Sequence, residues 1–263
     1  LGQTVGSTFD NKNVGTGKTV TVNSITLADG SGLAANYSIS AGQTTTADIT
    51  PKALTVSGIT ASNRTYDGST NATLTGTAVY SGLVSGDTFN GTYTGAFSDK
   101  NVGTGKTVNI TSSYSGADVS NYSVTDQSTT TANITAKSLT VSGITASSKT
   151  YDGSTSATLT GTAVYSGLVS GDTFNGTYTG AFSDKNVGTG KTVNITPSYS
   201  GADVNNYSVT DQSSTTADIS AKALTATASA SNKVYDGGTT ATTTLTFSGL
   251  VGSETLGQTV GST

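Results

Sequence analysis

"KALTVSGITASNRTYDGST" occupies residues 52–70, and "KSLTVSGITASSKTYDGST" occupies residues 137–155. The step between them is 85 residues, and a degenerate third version, "KALTATASASNKVYDGGT", runs over 222–239. Units 52–136 and 137–221 differ at only nine positions, mostly Ser, Asn and Thr exchanges. A period of 85 exceeds the roughly 20–45 residues of a solenoid coil and suits a small β domain that folds by itself. Repetition therefore decides the architecture before any single motif does.

The ends carry the same arithmetic. Residues 1–8 and 256–263 both read "LGQTVGST", and 255 positions, three periods, separate them. The chain divides into the C-terminal part of a repeat (1–51), two complete repeats (52–136 and 137–221) and the N-terminal part of a repeat (222–263). Two arrangements fit: a window within a longer tandem array, or subunits that complete one another head to tail. The near-identical covalent neighbours favour the first. No signal peptide, transmembrane run or initiator Met is present, as expected of an internal window.

Within 52–136, "KALTVSGI", "NATLTGTAVYSG", "TFNGTYTGAF", "KTVNITSSYSG" and "NYSVTDQSTTTANIT" alternate apolar and polar residues and are rich in β-branched types. Each reads as a strand. "YDGST", "SGLVSGD", "SDKNVGTG" and "SGADVSN" concentrate the turn formers Gly, Asp, Asn and Ser between them. The prediction is all-β: a tandem array of immunoglobulin-like β-sandwiches forming an elongated rod. Asp118, Tyr122 and Val124 are spaced like the residues around a tyrosine corner, and Asp203, Tyr207 and Val209 repeat the spacing, whereas Leu33 replaces the acid before Tyr37. Any buried Tyr that opens a strand would look the same. Alternation runs through "TTTANITAKSLTVSG" without a Gly/Pro linker, so one strand is expected to cross the boundary stiffly.

"DKNVGTGKTV" at 99–108 and 184–193, with "NKNVGTGKTV" at 11–20, contains the GTGKT that ends a phosphate-binding loop. That loop needs a Gly five positions before its Gly-Lys pair, where this chain has Lys12, Lys100 and Lys185. A β pattern follows rather than the helix whose N-terminus would face the anion. The motif reads as a turn, with Gly103 and Gly105 at positive φ and Lys106 opening the next strand.

Composition removes most other chemistry. The chain has no Cys, His, Met or Trp, and Glu254 is its only glutamate. Thiol nucleophiles, imidazole bases and Cys/His metal sites are excluded, and no catalytic, cofactor-binding or metal residue is assigned. Charged residues make up 11% and net charge is −4, so nucleic acid and anionic membrane are poor partners.

The ordered combination of "TYDG", "SDKNVGTGKTV" and "NYSVT" resembles the YDG and related mostly-β, glycine-rich (MBG) repeats of large bacterial surface adhesins of the filamentous-haemagglutinin kind, over essentially the whole chain. The resemblance implies an extracellular, cell-surface location and a spacing role in which repeats form a stalk and the binding head lies elsewhere. Neighbouring repeats are then the expected partners. Alternatives are a multivalent glycan- or matrix-binding module and a pilus-like subunit that polymerises by strand complementation. Sharper local readings also stand open. Asp67, Asp87, Asp99, Asp118 and Asp126 recur and offer oxygen ligands for Ca²⁺, or serve as turn and capping residues. Tyr80, Tyr93 and Tyr114 offer a sugar platform or cross-strand packing. Asn71, Asn90, Asn109, Asn121 and Asn133 lie in N-x-S/T triplets, and Lys100–Asn101 offers the residue types of an isopeptide cross-link.

Overall fold

The computed structural model describes residues 2–257, which form two compact units divided after Thr135. All regular structure among them is β-strand apart from three single 3₁₀ turns.

The first unit opens with an antiparallel three-stranded sheet, β1 (Gly2–Phe9), β2 (Gly15–Ala28) and β3 (Thr44–Ile49). The complete repeat follows: β4 (Lys52–Ser57), β5 (Thr60–Ala61), β6 (Arg64–Thr65), β7 (Asn71–Ala72), β8 (Leu74–Thr75), β9 (Val79–Ser81), β10 (Asn90–Phe97), β11 (Gly103–Ser115), β12 (Tyr122–Thr125) and β13 (Thr129–Thr135). A five-stranded sheet of order β6-β13-β11-β10-β7 faces a three-stranded sheet of order β12-β4-β9, with β5–β8 as a small third ladder. Strand periodicity sends Val108 and Ile110 inward while Thr107 and Asn109 face out. Leu54, Val56, Ile59, Phe89, Ile110 and Tyr122 form one core cluster, and Phe97, Val108, Ala132 and Ile134 are also buried.

Several strands differ from their sequence reading. "NATLTGTAVYSG" is not one strand but three, because β7 pairs with β10, β8 with β5 and β9 with β4, each in a different sheet. "NYSVTDQSTTTANIT" splits likewise into β12, parallel to β4, and β13, antiparallel to β11. Between them the Gln127 amide accepts from Ile59 N (3.0 Å) and donates to Ile59 O (2.6 Å), replacing a ladder rung where the chain changes sheets. The strand expected to cross the repeat boundary ends at Thr135 and a new one begins at Lys137, since the two belong to different sheets. Tyr122 begins a strand, but its hydroxyl reaches Val84 N and Asp87, 38 and 35 residues back, not the nearby backbone of a tyrosine corner.

The GTGK segment also differs. β11 starts at Gly103, three residues before Lys106, and its register slips between them. Gly105 (φ +59°) sits in this bulge in the left-handed region, and its N–H donates to Asn133 Oδ1 at 2.7 Å. Lys106 folds back over Gly103 and holds Asp99 at 2.7 Å. The lysine that a phosphate loop would present to an anion closes its own turn.

In the second unit, 137–221 repeats this strand order, from Lys137–Ser142 to Ser214–Ser220, with the same parallel and antiparallel pairs. Residues 222–257 contribute one hairpin, Thr225–Ala230 with Thr243–Ser248. The identity of 256–263 with 1–8 falls mostly outside the described residues.

The "YDG" turn is held locally in every copy. Asp67 accepts from Ser69 N (2.8 Å) and pairs with Arg64 (3.0 Å), whose guanidinium also lies 5.1 Å from the Phe97 ring centre. In the second repeat Lys149 and the Ser154 N–H and hydroxyl hold the Asp152 carboxyl at a pKa of about 2. Lys233–Asp236 forms the same pair at 2.9 Å in the half-repeat. Contacts three residues apart need no domain around them.

Candidate interface: the junction between repeats

Besides the pairs that close turns, charged side chains gather where a half-repeat meets a complete repeat within each unit. In the first unit the β1–β2 loop brings Lys12 Nζ to Asp87 Oδ1 (2.7 Å) and Asp118 Oδ1 (2.8 Å). Each carboxylate is itself fixed: Asp87 accepts from Tyr122 Oη (2.6 Å) and Asp118 from Thr88 N (2.9 Å). Beside them Val14 N donates to Asn121 Oδ1 (2.9 Å), and Asn121 Nδ2 donates to Asn13 Oδ1 (3.2 Å). Val14, Ile49 and Val84 form the apolar wall of the cavity under this lysine. One ammonium thus bridges two carboxylates at the rim of an apolar joint, where geometry is fixed on both sides.

The second unit makes the same junction with different side chains. Lys185, the counterpart of Lys12, holds Glu254 Oε1 at 3.0 Å, and Glu254 stands at the position of Asp87. Here Tyr151 Oη also donates to the same carboxylate, while Lys185 Nζ lies 6.0 Å from the Tyr151 ring centre. Val187, Leu224 and Val251 supply the apolar wall. Val251 packs over Gly153 of the YDG turn, where a β-carbon would meet its Cγ1 at 2.9 Å.

These contacts set the protonation states. Lys12, then the Tyr122 hydroxyl, hold Asp87 below the usual carboxylate range, and Lys12, then Thr88 N–H, do so for Asp118. Lys12 is pushed up by Asp118 and then by Asp87. A carboxylate with a depressed folded-state pKa stabilises above its unfolded value, about 3.9, and that contribution disappears as pH falls through the folded value. A raised lysine stabilises below about 10.4 and loses its contribution as pH climbs through the folded value. The junction should therefore be tightest from about pH 4 to 10 and loosen below that window. Amide exchange at Val14, protected by Asn121, is expected to accelerate when pH-corrected rates are followed below pH 4, and in Asp118→Asn at neutral pH. Unchanged protection in both would remove the lysine from the joint.

The sequence-predicted aspartates and tyrosines have protein partners. Asp67 and Asp99 cap turns, Asp126 accepts from the Tyr114 hydroxyl, and Asp87 and Asp118 form the junction. Among the described residues no three Asp, Glu, His or Cys side chains converge as a metal set. We expect a chelator to leave the melting midpoint unchanged; a drop of several degrees would identify an ion holding these aspartates. Tyr80, Tyr93 and Tyr114 do not form an open platform: they pack around Phe89, with ring centres 5.3 Å (Tyr80) and 5.0 Å (Tyr114) from it, and Tyr93 donates to Tyr80 Oη. Asn121 and Asn133 are engaged at the junction and the bulge, while Asn71, Asn90 and Asn109 are exposed. Lys100 lies 5.9 Å from the Tyr66 ring centre, and the Asp99 carboxylate accepts from Asn101 N (2.8 Å).

Sequence reasoning named Lys12, Asp87, Asp118 and Asn121, but in unrelated roles. Their shared signal is a lysine and an acid recurring once per period; nothing in it shows that the lysine of one repeat meets the acid of the following repeat.

Near-identical all-β units with a repeated junction define a tandem-repeat protein. The family model for the YDG domain matches residues 1–47, 50–132 and 135–217, and the chain belongs to that family. No curated protein and no solved structure matches it. Among the described residues no helix is long and apolar enough to cross a membrane.

Proposed function

We propose that this chain is a structural segment of a bacterial extracellular adhesin or surface fibre, non-enzymatic, whose repeats carry load and hold a binding region away from the cell. The observation that carries the reading is the direction of the strands at the two ends of each complete repeat. β4, where the chain enters, runs parallel to β12, and the exit of β13 runs parallel to β6. A pull on the two ends then drags paired strands past one another, so all rungs of a ladder must yield together rather than one at a time. The repeat 137–221 pairs identically, Lys137–Thr140 with Tyr207–Thr210 and Lys149–Thr150 with Ile219–Ser220. Shear-loaded ends suit a stalk, whereas a lectin module has no need of them.

Pulling the full chain by its ends is expected to give two matched force peaks. Each should release about 280–300 Å of contour, the extended length of roughly 85 residues. Extension without peaks would sink the load-bearing role. Surface display is tested separately: protease added to intact cells should remove the segment, and protection would place it inside.

A further inference from the structure

In each complete repeat the segment by which the chain enters and the segment by which it leaves run side by side. Tyr122–Thr125 lies parallel to Lys52–Thr55, and Ile134–Thr135 parallel to Arg64–Thr65, with the same offset of 70 residues. Between these two ladders both segments change sheets, so the paired register stops at Thr125 and resumes at Ile134. Gln127 spans the interruption. Its Oε1 accepts from Ile59 N (3.0 Å) and its Nε2 donates to Ile59 O (2.6 Å), the two bonds that a peptide group of a neighbouring strand would supply. Nε2 also reaches Thr129 O (3.3 Å), at the head of β13. Ile59 is 4% exposed, which leaves little water to take the place of the amide. The second repeat has the same bridge, from Gln212 to Ile144 N (3.0 Å) and Ile144 O (2.6 Å). A neighbouring contact, Asn133 N to Asn63 Oδ1, becomes Asp218 N to Ser148 Oγ, whereas the glutamine and isoleucine are unchanged.

We propose that Gln127 and Gln212 are the mechanical clamps of their repeats, a role that rests on the load-bearing reading above. Tension draws 52–65 toward the start of the chain and 122–135 toward its end, so every bond between these parallel segments is sheared. The four pairs of one ladder and the two of the other are each too short to hold alone. The amide between them makes one continuous shear zone, in which neither ladder can part before the other. Once the bridge is gone, the short ladder and then the long one can yield in succession, at lower load.

Full chains held at constant force by their ends test this, with the two complete repeats read as two steps. In Gln127→Ala one step is expected about tenfold sooner, the weight of two hydrogen bonds, while the other keeps its lifetime. Adding Gln212→Ala should shorten both. Calorimetry of Gln127→Ala establishes that the repeat has folded, and Gln212→Ala alone repeats the test at an independent site. Val108→Ala, at a fully buried position in β11, separates a clamp from a contact that only adds stability. It should lower the melting midpoint of its repeat by more than Gln127→Ala does. Its lifetime under force should barely change, because β11 is still in place when the end segments part. An unchanged lifetime in Gln127→Ala, or an equal shortening in Val108→Ala, overturns the clamp while leaving the load-bearing reading standing. Extension of the unaltered chain without steps would remove that reading, and the clamp with it.

Discussion

Gly116→Ala is expected to lower the melting midpoint of the 52–136 repeat sharply while that of 137–221 stays where it is. Gly116 has φ +134°, and a β-carbon there would lie far inside van der Waals contact distance of Thr88 O. That carbonyl is backbone and already accepts from Asp118 N, so it has nowhere to retreat. Left-handed strain and overpacking act together, and a loss of at least about 3 kcal/mol is expected. For a domain of this size that is a fall of about 12 °C or more in the midpoint of the affected repeat. Gly105→Ala isolates the conformational part: φ is +59° but nothing lies within 4 Å, so the cost should be about 1–2 kcal/mol. Scanning calorimetry with the unaltered second repeat as internal reference checks both, and equal effects would contradict the close approach at Gly116. Because the same turn sets Asp118, exchange at Val14 should also accelerate in Gly116→Ala.

Leu139→Ala should have the next largest effect. Leu139 is fully buried beneath the sheet of the second repeat, and truncating such a leucine costs about 2–5 kcal/mol, depending on how far the surroundings collapse. The 137–221 transition is expected to drop by more than about 8 °C and separate from that of 52–136. A single shared transition moving as a whole would show that the units do not unfold independently. Leu224→Ala removes the same side chain from the same repeat position but should cost less than about 1 kcal/mol in the dilute chain, where the residue is partly exposed.

The sequence by itself determined what depends on neighbours and on repetition. Alternation placed β4, β10 and β11 to within a few residues, because side-chain period is a local property of a strand. The period of 85 set the length of the repeat. "TYDG" and "DKNVGTGK" were legible as turns since Arg64–Asp67 and Lys106–Asp99 close over three and seven residues.

Other features rest on contacts between distant parts of the chain. Which sheet claims each fragment of 71–82, and that β4 runs parallel to β12, are decided by strands 13–70 residues away that no local pattern specifies. Lys12 meets Asp87 across 75 residues, and Lys185 meets Glu254 across 69. In the sequence these are a lysine that spoils a phosphate loop and acids that cap turns. Only the tertiary structure makes them one junction, because an ion pair depends on distance in space, whereas turns and strand alternation depend on distance along the chain. The same distinction separates Tyr66 from Tyr235: the "YDG" around them is shared, and burial depends on which strands are present to cover them.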